Sequence, residues 1–220
     1  GEERYIRSVS VTQHPQAILR DCDLIVGTEE ELHAAGGSED TLAAIRNIRA
    51  LSKATIVCKR GPMGCVVFPG AIPASIEDGI KGPGFPVEVY NVLGAGDAFM
   101  SGFLRGYLSD EPIETCCKWA NACGAFAVSR LLCSPESPTF EELQFFLKHG
   151  SPHRALRHDV AISHVHWATT RRPQAATLMA LAIDHRSQVE AMADEAGVPR
   201  ERIAVFKRLA VDAAARIAGG

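Results

Sequence analysis

The nine residues Asn91-Val92-Leu93-Gly94-Ala95-Gly96-Asp97-Ala98-Phe99 restrict the fold more than any other part of this chain. Val87-Glu88-Val89-Tyr90 reads as a strand leading into them, and Phe99, Phe103, Leu104 and Tyr107 recur beyond them at helical spacing. Between the two lies a turn of small residues, with Asp97 in the first turn of the helix. Such a turn leaves backbone N–H groups pointing outward at the positive end of the helix dipole, where an anion can be held. A carboxylate beside a held phosphoryl group can take the proton of an attacking hydroxyl. Asp97 is therefore a candidate general base, and Gly94, Ala95 and Gly96 a candidate anion hole. A bare Gly-x-Gly-Asp carries little weight by itself. The plainer reading is a tight strand-to-helix turn whose aspartate merely favours the dipole.

The surrounding pattern predicts an α/β layer fold with a largely parallel sheet. Asp23 to Gly27, Thr55 to Lys59 and Gly64 to Phe68 read as strands. A helix over Ser38–Leu51 has Ser38 as N-cap and an apolar face of Leu42, Ile45 and Ile48. Pro69 to Pro86, rich in Pro and Gly, reads as a loop. Ala98, Gly102 and Gly106 form a stripe without bulk, by which the helix after Gly96 can lie close to a strand. A long helix follows from Ile113 to Leu131, and Thr139 with Glu142 predicts a capping box opening a helix to Lys148.

Beyond residue 150 the composition shifts. Residues 151–174, with four histidines, four arginines and little periodicity, read as a linker that also houses His164 and His166. Thr177 to Ile183 then reads as a strand and Arg200 to Ile217 as a helix, the start of a second domain over 175–220. With no initial Met and an end just after a helical pattern, the chain reads as a piece of a longer protein. Net charge is −3, with no basic block, which disfavours nucleic acid as a partner. No apolar run reaches the roughly 18 residues of a membrane helix. Seven cysteines, mostly in apolar segments, read as reduced core thiols of a cytoplasmic protein.

Gly94 through Phe99, continuing to Gly102, resembles the signature D-T-x-G-A-G-D-x-F of the PfkB, or ribokinase-like, carbohydrate kinases. Asn91 and Val92 stand where that family usually has Asp and Thr. Three further segments resemble family elements in the same order. Thr28-Glu29-Glu30-Glu31 is similar to the N-x-x-E element, with Thr28 in place of Asn and Glu31 on the glutamate that helps organise Mg²⁺. Lys59-Arg60-Gly61-Pro62-Met63-Gly64 is similar to the K-x-G-x-x-G turn beside the nucleotide phosphates, on Lys59, Gly61 and Gly64. Ala120-Asn121-Ala122-Cys123-Gly124-Ala125 resembles the helix flanking the adenine, with Asn121 on its asparagine. Taken singly, these would read as an acidic helix start, a hairpin and a polar residue bonding a loop.

The resemblance covers about residues 15 to 150, and is strongest to the branch that phosphorylates a deoxy sugar acid of inositol catabolism and is often fused to an aldolase-like barrel. It implies a ribokinase-like three-layer sandwich over 1–150, with the start of a β/α barrel-like domain after the linker. It implies ATP and Mg²⁺, with K⁺ as a family option beside the anion hole, a sugar acid as the second substrate, and a homo-oligomer as an open assembly state. In this family the sugar-contacting strands and lid precede the segment present here. Two other readings stay open: another PfkB sugar kinase of the ribokinase or 2-keto-3-deoxygluconate type, and a non-catalytic nucleotide-binding piece. An aldolase rests on the tail alone. Lys207 lies within a helical pattern and is not read as a Schiff-base lysine.

Overall fold

The computed structural model describes residues 17–131, 136–170, 181–183 and 185–218. The chain divides into two compact units, residues 1–171 and 172–220. In the first, strand β1 (Leu24–Thr28) is followed by helices α1 (Glu29–Gly36) and α2 (Thr41–Leu51), then β2 (Thr55–Lys59). A single 3₁₀ turn (Gly61–Met63) leads to β3 (Cys65–Phe68), and a second (Ile76–Asp78) to the short β4 (Ile80–Gly82). Helices α3 (Ala95–Tyr107), α4 (Ile113–Ser129), α5 (Phe140–His149) and α6 (Val160–Thr169) follow.

The sheet runs β1-β2-β3-β4. Among the described strands only β1 and β2 are parallel, Leu24 opposite Thr55 through Thr28 opposite Lys59, because a helical crossover joins them. The five-residue connection from Arg60 to Gly64 is too short for a crossover, so β3 folds back antiparallel on β2, and β4 on β3. The sheet is thus mixed, where the sequence pattern suggested a mainly parallel one. Strand alternation sorts its side chains to two faces. Ile56, Cys58, Val66 and Phe68 join Leu32, Ile45 and Ile48 of α1 and α2. Val57, Cys65 and Val67 join Phe99, Phe103, Cys116, Cys117 and Ala120 of α3 and α4. Two helical layers sandwich the sheet, the expected three-layer ribokinase-like arrangement.

Several local expectations change. Asp40 rather than Ser38 caps α2, its Oδ1 accepting from the Ala43 N–H at 2.7 Å, while the Ser38 hydroxyl accepts from the Asp40 N–H at 3.2 Å. The small-residue stripe faces a helix and not a strand. A Cβ at Gly102 would collide with the Trp119 carbonyl at 2.7 Å, and one at Gly106 with Cys116 Sγ at 2.8 Å, which lets α3 and α4 pack backbone to backbone. Val87 to Tyr90 is not a strand, since no ladder partner reaches it among the described residues.

The stretch 151–174, expected to be a linker, carries a packed helix as far as it is described. Leu156 and Ile162, about 1% and 0% exposed, complete a cluster with Ala98, Phe126, Leu143 and Phe146. Asp159 caps α6, accepting from the Ala161 and Ile162 N–H groups at 2.9 and 3.1 Å. His166 is no linker residue: its Nδ1 lies 2.7 Å from Glu142 Oε2. Glu142 is fully buried, pairs with the Arg130 guanidinium, and closes the expected capping box with Thr139.

The second unit shows α7 (Ser187–Glu195) and α8 (Arg202–Ala218). Arg200 pairs with Glu190 and Asp194, and Lys207 donates to the His185 carbonyl. The expected strand from Thr177 to Ile183 lies partly outside the described residues, and residues 181–183 carry no strand, so a barrel start finds no support in the described part. Among the described residues the cysteines are free, and no helix is long and apolar enough to cross a membrane.

Candidate active site

The parallel pair β1 and β2 ends at Thr28 and Lys59, and the candidate site is built at that edge. Thr28 adopts an extended conformation, and its hydroxyl accepts from the Glu31 N–H at 3.2 Å. The Glu31 carboxylate reaches back to accept from the Thr28 N–H at 2.6 Å. Threonine in place of asparagine thus serves as a helix cap that fixes Glu31. Lys59 Nζ lies 3.5 Å from Glu31 Oε2. Burial pushes the Glu31 carboxyl up, but the Thr28 N–H, the Lys59 ammonium and the Thr28 hydroxyl outweigh it and hold the group below its usual range. It stays an exposed anion at neutral pH.

The third component is the N-terminus of α3. Gly94 takes the left-handed conformation, φ 77°, that β-carbon-bearing residues rarely adopt. Asn91 prepares the turn, its Oδ1 accepting from the Leu93 N–H at 3.0 Å. The first intrahelical bond runs from the Ala98 N–H to the Gly94 carbonyl at 2.9 Å. The Gly96 and Asp97 amides precede it and have no acceptor within the helix. A Cβ placed on Gly96 would stand 3.5 Å from Lys59 Nζ, so the ammonium overlooks this helix start. Asp97 is exposed, with no side-chain hydrogen bond or ion pair among the described residues.

Glu31, Lys59 and Gly96 therefore meet, although 28 and 37 positions separate successive members of the trio. The cluster fits a phosphate chain with its metal: an ammonium and free amides for the oxygens, and one exposed carboxylate for a cation that keeps most of its waters. Among the described residues no group of three or more His, Cys, Asp or Glu forms a metal cage, and one carboxylate suits a hydrated Mg²⁺ shared with phosphates.

Gly61 and Gly64 shape the turn rather than line this cluster. Gly64 has φ 86°, and a Cβ there would run into the Gly82 carbonyl, so the turn is wedged against residues 82–84. Beside it lies an open cleft of about 740 Å³ lined by Pro62, Phe85, Val87, Val89 and Arg154, among others. Asn121 is not among the residues that line this cleft. It is 8% exposed, donates from Nδ2 to Cys65 Sγ at 3.3 Å, and sits beneath Gly82. Its observed role is to seat the end of β4.

Arg60 carries no functional signal in the sequence. It bonds Glu77 at 2.7 Å and approaches Glu29 at 3.6 Å, tying the turn to α1. No local pattern announces this, because Glu77 comes from the second 3₁₀ turn, 17 residues away.

The chain is similar to several known proteins. A family profile described as pfkB family carbohydrate kinase matches residues 4–139, and one described as an uncharacterized protein conserved in bacteria (DUF2090) matches 142–220. Proteins named 5-dehydro-2-deoxygluconokinase from Geobacillus kaustophilus and Listeria monocytogenes are 26% and 29% identical over 131 and 132 residues. Each alignment covers 58% of this chain and 38% of the relative, so the chain spans about two fifths of those proteins. Among solved structures, a Vibrio cholerae fructokinase bound to fructose, ADP and calcium is 28% identical with TM-score 0.52, covering 60% of this chain and 42% of that one. An Arabidopsis thaliana ribokinase complexed with ribose and ATP shares the fold at 23% identity and TM-score 0.55, covering 63% and 45%. The pfkB match takes in well over half of the sequence and every residue of the cluster at the sheet edge, and the chain belongs to the pfkB family of carbohydrate kinases.

Proposed function

We propose that this chain supplies the nucleotide-binding and catalytic part of an ATP-dependent kinase that phosphorylates the primary hydroxyl of a small sugar acid. The observation carrying this reading is the convergence of Glu31, Lys59 and Gly96 beside an exposed, unengaged Asp97. Asp97 takes the proton of the sugar hydroxyl as its oxygen attacks the γ-phosphorus, and the bond to the β-phosphate oxygen breaks with its electron pair leaving on ADP. The Gly96 and Asp97 amides and Lys59 hold the phosphoryl oxygens, whose charge they offset as it redistributes. Glu31 would hold the hydration shell of a bound Mg²⁺, whose charge would offset that of the phosphates. Gly61 and Gly64 keep the adjoining turn close, and the cleft beside Pro62 offers a place for the nucleotide base. Asn121 acts on that base indirectly, through the β4 end it supports. A K⁺ ion rests on family resemblance alone, and no side chain of this chain is assigned to it.

The relatives named 5-dehydro-2-deoxygluconokinase, together with a following segment matched by a second profile, favour 5-dehydro-2-deoxygluconate of myo-inositol catabolism as the substrate. The free cysteines suit a reducing compartment such as the cytoplasm. The test is sugar-dependent ADP release by the natural protein carrying this chain. The panel is 5-dehydro-2-deoxygluconate, 2-keto-3-deoxygluconate, ribose and fructose. The highest kcat/KM for the first supports the reading. Preference for ribose or fructose would overturn the substrate, and no sugar-dependent release despite ATP binding would leave only a nucleotide-binding module.

A further inference from the structure

The kinase profile ends at residue 139 and the second begins at 142, yet the compact unit continues through residue 171. What the added segment touches is the approach to the catalytic turn. Residues 83–93 belong to no strand, so the sheet does not hold them. Their backbone is satisfied elsewhere. The Tyr90 and Asn91 N–H groups donate to the Val128 carbonyl at 2.6 and 3.1 Å, and the Glu88 N–H donates to the Arg154 carbonyl at 2.8 Å. Arg157 closes this strap. Its Nη1 donates to the Ser129 carbonyl at 3.1 Å, its Nη2 to Glu88 Oε1 at 2.6 Å, and its guanidinium lies 4.5 Å from the centre of the Tyr90 ring. Leu156, next in sequence, is buried in the cluster that also seats Phe85 and Val87. From Asn91 the constraint passes to Leu93 and so to Gly94.

We propose that Arg157, which lies beyond the kinase profile, is a positioning residue for phosphoryl transfer, fixing residues 88–93 and through them the Gly94–Asp97 turn. The proposal rests on the general-base and anion-hole reading given above. A half-exposed ion pair adds little to stability. Orientation of a catalytic carboxylate and its amides is far more demanding, since small displacements weaken the transition-state contacts disproportionately. Arg157 should therefore matter to rate more than to folding. It also makes the first thirty or so residues of the second profile part of the kinase itself.

The experiment compares Arg157→Ala, Glu88→Gln and the double variant in the natural protein carrying this chain, with Asp97→Asn alongside. Arg157→Ala is expected to lower kcat about tenfold, with the sugar KM and melting temperature nearly unchanged. Glu88→Gln should lower kcat in the same direction, and the double variant should be no slower than Arg157→Ala, because both act through one contact. An Arg157→Ala kcat above about half that of the parent, beside a collapsed Asp97→Asn, would overturn the proposal while leaving the general-base reading intact. Multiplying single effects in the double variant would overturn it too. Should Arg157→Ala fail to fold, Glu88→Gln alters an exposed side chain and decides by the same kcat criterion.

Discussion

Replacing Glu142 by alanine should loosen the helical cluster behind the Gly94–Asp97 turn, and the structure gives the size of the effect. Glu142 is fully buried; it pairs with Arg130, 6% exposed, accepts from the Thr139 N–H at 3.3 Å and holds His166 Nδ1 at 2.7 Å. Alanine leaves Arg130 with the Glu136 carbonyl at 2.7 Å and the Phe126 ring at 4.6 Å, but without a counter-charge. Removing one partner of a buried pair costs about 3–5 kcal/mol, because the other charge stays desolvated. Glu142→Gln keeps the shape and one acceptor, and a cost of about 1.5–3 kcal/mol is expected for the weakened charged hydrogen bonds. Hydrogen exchange read peptide by peptide measures this locally. Since 1.4 kcal/mol is about tenfold, protection over residues 140–149 and 160–169 should fall about 10²-fold or more in Glu142→Ala, and about 10- to 10²-fold in Glu142→Gln. Protection of β2 should fall less. A loss in α6 below about threefold for Glu142→Ala would refute the claim that this buried charge network holds the segment after residue 150 to the kinase body.

Glu31→Gln keeps the cap on α1 but removes the charge beside Lys59, and should raise the Mg²⁺ concentration for half-maximal activity with sugar KM unchanged; a Mg²⁺ titration at saturating ATP checks it. Gly64→Ala places a Cβ against the Gly82 carbonyl at φ 86°, and thermal melting should show a cost of about 1–3 kcal/mol, with ATP KM raised as the turn shifts. Burial pushes the Asp159 carboxyl up, but the Ser151 hydroxyl, the Ile162 and Ala161 N–H groups and His153 hold it below its ordinary 3.8. A folded-state value below the unfolded one means its stabilisation is complete above about pH 4 and is lost as pH falls through the lower value. Hydrogen exchange of α6 from pH 5 to 2.5, corrected for intrinsic rates, should show this acid loss in the parent and a flatter profile in Asp159→Asn.

Elements whose cause is local were legible in the sequence. The capping box at Thr139/Glu142 is written in residues three apart, the acidic helix start after Thr28 in Glu29 to Glu31, and β2 and β3 in runs of Val, Ile and Cys. The glycine turn announced itself because Gly94 needs a conformation that few residues adopt. Val87–Tyr90 failed as a strand because pairing is decided by neighbours and not by propensity. Residues 151–170 resembled a linker because the buried apolar residues Ala155, Leu156 and Ile162 are too few to set up a period, and because His166 is satisfied by a carboxylate 24 positions away. The convergence of Lys59 on Glu31 and Gly96 is a property of the parallel sheet edge. Motif order hinted at it, and only the fold supplies the distances. Arg157 carried no sequence signal, since its partner Glu88 lies 69 positions earlier.

The proposed phosphoryl transfer depends on Asp97, and the most direct measurement is kcat of Asp97→Asn in the natural protein carrying this chain, with melting temperature and ATP affinity measured beside it. Asparagine keeps the size and removes the proton acceptor. A general base predicts a loss of about 10²- to 10⁴-fold in kcat. Folding should be nearly normal, since an exposed aspartate at a helix start contributes only about 0.3–1 kcal/mol through the dipole. A variant that phosphorylates its sugar at more than about a tenth of the parent rate falls short of even the modest end of general-base effects and would contradict the mechanism.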